Sequence, residues 1–278
     1  MKYFELRGTH SKVMLTQFAP RESDPAMHAH GDEYQISIPL VGVPSIELPG
    51  QVGTIDWKRR VVTGPGEEHR HFANEEASRV LLINLQRAFV ERVLAERMEL
   101  APGDLRGGVE FARWGDGSSD GFRKLADLLT RTAMTGDLDR LEQEQAEWQL
   151  AALLLDAQDG THRGRWRESG TAARHPAVRI AQELLWDQYA QEWSLDRLAD
   201  EVGLSKYHLL RLFREQAGQT PAHYLTERRV TAAAERLAAT RDDVTQIAFD
   251  TGFGSLSTFE RAFKRKYGVT AQQYRKGL

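Results

Sequence analysis

Residues 198–229, LADEVGLSKYHLLRLFREQAGQTPAHYLTERR, and residues 247–276, IAFDTGFGSLSTFERAFKRKYGVTAQQYRK, decide the reading of this chain because they repeat each other. Ser205 aligns with Ser255, Arg211 with Arg261, Phe213 with Phe263, Gly218 with Gly268, Thr220 with Thr270 and Tyr224 with Tyr274. Upstream, Leu198-Ala199 aligns with Ile247-Ala248 and Gly203 with Gly252, so the second copy carries one extra residue in its turn. Each copy reads as helix, tight turn, helix. In the first, Ser194 is placed to cap a helix whose inward face is Leu195, Leu198, Ala199 and Val202. Gly203 supplies the turn, because glycine tolerates positive φ. Ser205 then caps a second helix that buries Leu209, Leu212 and Phe213. Tyr207, Leu210, Arg211 and Arg214 fall on its opposite face.

The second copy follows the same plan. Asp242 or Asp243 caps Val244, Ile247 and Ala248, Gly252 turns the chain, and Phe259, Ala262 and Phe263 face inward. Ser257, Glu260, Arg261 and Lys264 face outward. Thr220-Pro221 opens a connecting helix, with a cap and a proline at its first position, running to about Ala239. A pair of helical hairpins in a plain α-domain would explain one copy. Two matched copies on a capped connector fit helices that enter a DNA major groove.

These strings resemble the DNA-binding domain of the AraC/XylS family of transcription regulators. The likeness covers residues 178–278, and two departures stand out: Ser257-Thr258-Phe259 replaces a common Ser-His-Phe run, and Ala271 replaces a usual proline. The resemblance implies double-stranded DNA as partner, RNA polymerase as a candidate partner, and a homodimer. It places base reading on Lys206, Tyr207, Leu210 and Arg211 of the first recognition helix. On the second it places base reading on Leu256, Ser257, Thr258, Glu260 and Arg261. Arg pairs with guanine, Glu accepts from cytosine and Leu meets the thymine methyl. Arg214, Lys264 and Lys266 are read as phosphate contacts, which position without specifying.

The first 85 residues have another texture. Short apolar or alternating runs recur at Val13–Phe18, Tyr34–Ile38, Ser45–Leu48, Gly53–Trp57, Arg60–Val62 and Arg79–Leu85, separated by Pro and Gly. That pattern predicts a sandwich or barrel. From Ala88 the period becomes helical, with faces at Phe89, Val93 and Leu94, at Phe122, Leu125, Leu128 and Leu129, and along a stripe from Leu138 to Leu155 within a helix over Asp137–Asp156. That stripe suits packing on its own barrel or on a second subunit. Gly103–Gly121 is predicted as loop. The polar, arginine-rich segment after Ala157 is predicted as the linker.

Within the β region, His28, His30 and Glu33 are followed by His69 beyond a Pro-Gly turn. Imidazole with carboxylate suits a divalent transition metal. The order is similar to the two motifs of the cupin barrel, over roughly residues 10–85, although Glu33 follows His30 closely and the leading glycine is missing. Arg70 and His71 are alternative holders of an anionic ligand. The expected fold is therefore α+β in two domains: a cupin-like β-barrel with helices over 1–157 (barrel about 10–85, helices about 88–157), a linker over 158–176, and an all-α domain with two helix-turn-helix units over 177–278. The arm from Met1 to about Pro25 is a candidate cover for the barrel mouth.

Composition bounds the alternatives. Hydrophobic content of 41% and charged content of 28% suit an ordered globular chain. The absence of cysteine excludes disulfides and thiolate metal sites and suits a reducing cytoplasm. No run approaches the roughly 20 apolar residues of a membrane span, and no secretory signal is read at the N-terminus. Net charge is −3 overall, yet Val178–Leu278 holds 15 Lys and Arg against 13 Asp and Glu, so the acidity sits in the N-terminal part. The leading expectation is a regulator, not an enzyme, controlled by a small molecule or metal in the barrel. A cupin-type metalloenzyme with a DNA-binding appendage would need an open metal position and turnover. A regulator without an effector would need a barrel filled with bulky apolar side chains and used only to dimerise.

Overall fold

The computed structural model describes residues 2–56, 58–98, 100, 105, 108–134, 139–163 and 175–277. Trp57, Asp137, Leu138 and positions 164–174 of the expected linker lie outside the described residues. The chain divides into two compact units, Met1–Thr130 with Ala146–Arg167, and Arg131–Gln145 with Glu168–Leu278.

The first unit is rich in sheet. Its strands are β1 (Lys2–Arg7), β2 (Ser11–Phe18), β3 (Glu33–Val41), β4 (Ser45–Leu48), β5 (Gln51–Thr54), β6 (Arg59–Thr63), β7 (Arg70–Phe72), β8 (Ser78–Gln86) and β9 (Trp114–Asp116). They form a six-stranded sheet ordered β1-β2-β8-β3-β6-β9 and a three-stranded sheet ordered β5-β4-β7. The pairings described are all antiparallel. The expected closed barrel is not what forms: the ladders belong to two sheets. Between the sheets, residues of β3 meet residues around β7 through side chains. Gln35 reaches His69 and Ser37 reaches His71. Met14, Phe18, Ala73, Val80 and Leu82 make one apolar cluster, and Ile46, Leu48, Ile55 and Val61 another.

Three strands were not expected. β1 pairs with β2 inside the segment read as an arm, so residues 2–7 are an edge strand of the sheet. β9 pairs with β6 inside the stretch read as loop. It is a three-residue edge strand whose turn-rich neighbours hide its period. Trp114 nevertheless fixes it, with Arg59 stacked 4.1 Å from the ring centre. Gly53 allows the ring to approach, because a Cβ there would fall 2.2 Å from it. β7 is too short for its alternation to be read.

Helices α1 (Arg87–Arg97), α2 (Asp120–Met134) and α3 (Arg140–Ala157) follow. Phe89, Val93 and Leu94 of α1 are buried, and Trp148 of α3 stands edge-on to Phe89 at 5.5 Å. Of the stripe, Leu141, Trp148 and Leu155 are buried within the single chain. Residues 158–163, expected as linker, cluster with the first unit. Gln158 and His162 are fully buried, and Thr161 N–H donates to Glu110 O at 2.9 Å.

The second unit is helical to its end: α4 (Pro176–Asp187), α5 (Leu195–Val202), α6 (Lys206–Ala217), α7 (Pro221–Ala239), α8 (Val244–Asp250), α9 (Leu256–Tyr267) and α10 (Ala271–Lys276). α7 is the spine. Its Val230, Ala233, Ala234 and Leu237 join Ile247, Phe259 and Phe263 in one core. Arg229 is 3% exposed and ties α7 to the turn after α4, donating to the carbonyls of Tyr189 and Gln191 at 2.7 and 2.8 Å. Among the described residues no helix is long and apolar enough to cross a membrane.

Candidate DNA interface and a histidine cluster

Local chemistry sets both helix-turn-helix units. Ser194 Oγ accepts from Arg197 N–H, Ser205 Oγ from His208 N–H, Asp243 from Thr245 N–H, and Ser255 Oγ from Thr258 N–H. Each cap satisfies an amide that the helix leaves unpaired, worth about 1 kcal/mol. Gly203 and Gly252 adopt φ of 66° and 90° in the turns. Thr220 caps α7 with Pro221 in the first turn. α7 spans 19 residues, so it is about 28 Å long at 1.5 Å per residue.

On α6, Lys206, Tyr207, Leu210 and Arg211 are half-buried, and Arg214 is exposed. Lys206 pairs with Asp196 of α5 at 2.5 Å, and Arg211 meets Glu215 at 3.4 Å. On α9, Leu256, Ser257, Arg261 and Lys264 are exposed, and Thr258 and Glu260 are half-buried. Glu260 accepts from Ala271 N–H at 3.4 Å. Lys266, read as a phosphate contact, instead bridges to Glu227 of α7 at 2.7 Å. All of these candidates are at least partly exposed, and some are already engaged with neighbours.

In the first unit His28 and His69 face each other through reciprocal backbone hydrogen bonds of 3.0 and 2.8 Å. Ligating atoms of His28, His30 and His69 lie within 4.8 Å of one another. His30 Nε2 is buried with no hydrogen-bond partner. Burial pushes the His69 imidazole down to about 4, and burial with nearby Lys12 holds His30 below its usual value. Both rings are thus neutral near pH 7 and offer lone pairs, the state that metal coordination requires. An orphaned imidazole nitrogen aimed at two others fits a transition metal.

Glu33 is not brought into this group. Its carboxylate accepts from Asn84 at 2.9 Å and pairs with Lys12 at 3.5 Å. Gln35, which the motif reading missed, lies against His69 instead, with Nε2 2.8 Å from the ring Nε2. Strand alternation offered the signal. Tyr34, Ile36 and Ile38 take one face of β3, leaving polar Gln35 and Ser37 on a buried face where they need partners. Arg70 pairs with Glu47, while His71 is buried between Ser37 and Asp24.

Residues 198–277 match a family model described as a helix-turn-helix domain. The chain is 36% identical over 103 residues to the regulatory protein SoxS of Escherichia coli K12, covering 36% of this chain and 96% of SoxS. It is 36% identical over 90 residues to the HTH-type transcriptional regulator MtrA of Neisseria gonorrhoeae, covering 32% of this chain and 30% of MtrA. It therefore spans about a third of the length of MtrA. It also spans 32% of the regulator Rv1931c of Mycobacterium tuberculosis. A solved AraC-type regulator structure from Chromobacterium violaceum is 29% identical, with a TM-score of 0.35 over 36% of this chain and 90% of that one. The match reaches nearly all of SoxS at 36% identity, and on that ground this chain belongs to the AraC/XylS family of transcriptional regulators.

Proposed function

We propose that this AraC-type, DNA-binding transcription regulator reads its operator with α6 and α9. The first helix would use Lys206, Tyr207, Leu210 and Arg211, and the second Leu256, Ser257, Thr258, Glu260 and Arg261, with Arg214 and Lys264 on phosphates. The observation that carries this reading is the pair of identically capped recognition helices held on one connecting helix. Selection of bound sequences from a random DNA library gives the operator. On it Arg211→Ala should cost about 1–3 kcal/mol and relax one position. Equal weakening on operator and random DNA would refute base reading by Arg211.

The first unit is read as the sensor, in a regulator and not an enzyme, as the related proteins are named regulators. His28, His30 and His69 are the residues to hold a divalent transition metal. Bound there, the ion would supply a Lewis-acidic contact for a small effector. Metal content of tag-free protein purified without chelator, beside a His28→Ala/His69→Ala double variant, tests this. Near-stoichiometric metal in the parent alone supports it; equal content in both refutes it. A homodimer belongs to the same reading, and sedimentation with and without DNA checks it.

A further inference from the structure

Resting on the metal reading above, we infer that Gln35, not Glu33, completes the donor set of His28, His30 and His69, and that the resulting neutral site takes a small carboxylate. Gln35 is fully buried on β3. Its amide nitrogen lies 2.8 Å from His69 Nε2, and its side chain also interacts with His30, so the amide sits between two of the three imidazoles. An ion shared by these imidazoles would have the amide oxygen beside it as a further neutral donor. Imidazole and carboxamide donors bring no negative charge to a divalent ion, whereas a carboxylate donor would halve its charge.

The surroundings keep that charge available. His28 and His30 line a cavity of about 550 Å³ together with Lys12, Met14, Asp24 and Leu82. That volume suits a small organic molecule. Glu33 is spent on Lys12 and Asn84. Asp24 is spent on His71, accepting from its backbone N–H at 2.8 Å and lying 3.3 Å from its Nδ1. Both carboxylates near the histidines are thus engaged by other side chains, and neither is placed to compensate the ion. Met14 and Leu82 give an apolar wall for the body of the ligand. An anionic head on the ion and a short apolar body therefore match the chemistry of this cavity.

The test uses full-length protein stripped with chelator and reloaded with cobalt(II), whose visible bands report its ligands. Azide and butyrate serve as probe anions. One equivalent of cobalt should bind, and both anions should shift its bands. Gln35→Glu should retain cobalt yet weaken azide by about tenfold or more, because it sets a negative charge beside the ion. Gln35→Leu should change the cobalt spectrum, and Glu33→Gln should change neither spectrum nor anion affinity. Variants are compared only where near-UV circular dichroism matches the parent. The parent's anion response does not depend on any variant folding. Cobalt bound with no response to either anion overturns the inference while the metal reading stands. A spectrum altered by Glu33→Gln and untouched by both Gln35 variants does the same. If the parent takes up no more cobalt than His30→Ala, the metal reading falls and this inference with it.

Discussion

Gly203 and Gly252 occupy equivalent turns in the repeat, yet alanine at the two should have different costs. Gly203 has φ of 66°, and an added Cβ meets nothing within 4 Å. Its replacement carries only the left-handed backbone penalty, about 1–2 kcal/mol. Gly252 has φ of 90°, and a Cβ there would sit 2.9 Å from Ala190 Cα, Ala190 O and Arg229 Nε. Two of those atoms are backbone. The third belongs to a guanidinium held by the Tyr189 and Gln191 carbonyls. Relieving the clash must move the turn or loosen hydrogen bonds to a buried cation, which are worth about 1.5–3 kcal/mol each. Gly252→Ala should therefore cost about 3–5 kcal/mol, some 2 kcal/mol more than Gly203→Ala. Urea unfolding followed by helical circular dichroism measures both, with stability taken from the midpoint where the slope is unchanged. Equal losses for the two variants would refute the argument that contacts of the second turn, and not its φ alone, set the cost.

Other outcomes follow from particular side chains. Phe263→Ala opens the core between α7 and α9 and should cost about 3–5 kcal/mol in the same assay. Lys264→Ala should weaken operator and random DNA alike and lower the salt slope of binding by about one, read from titrations at several salt concentrations. His162, fully buried with its Nε2 donating to Leu155 O, is held below its usual value by burial. The unfolded chain then binds a proton that the folded chain refuses, so stability is kept above about pH 6.5 and lost as pH falls below it. Urea midpoints at pH 7.5 and 5.5 should fall further for the parent than for His162→Asn.

The helical half was legible because its determinants are local. Ser194, Ser205 and Thr220 announce helix starts within four residues of themselves and make the caps read from the sequence, and of Asp242 and Asp243 it is Asp243 that caps. The sheet half was legible only in part. The longer strands could be read from their alternation, but β1, β7 and β9 could not. Whether the strands close a barrel depends on partners distant in sequence. The histidines were found by motif, yet their neighbour was misjudged. Residue type favoured Glu33, because imidazole with carboxylate suits a metal, even though it follows His30 closely, and nothing local revealed that Lys12 and Asn84 would engage it.

The sequence by itself determined that two helix-turn-helix units stand on a capped connector and which faces they turn outward. Turn glycines, caps and the 3.6-residue period act over one or two helical turns. Only the tertiary structure decided that Gln35 meets His69, that Glu33 turns away, and that Gly252 is hemmed in where Gly203 is free. Each of those depends on residues tens of positions apart being brought within a few ångströms, and pairwise packing of that kind leaves no periodic trace along the chain.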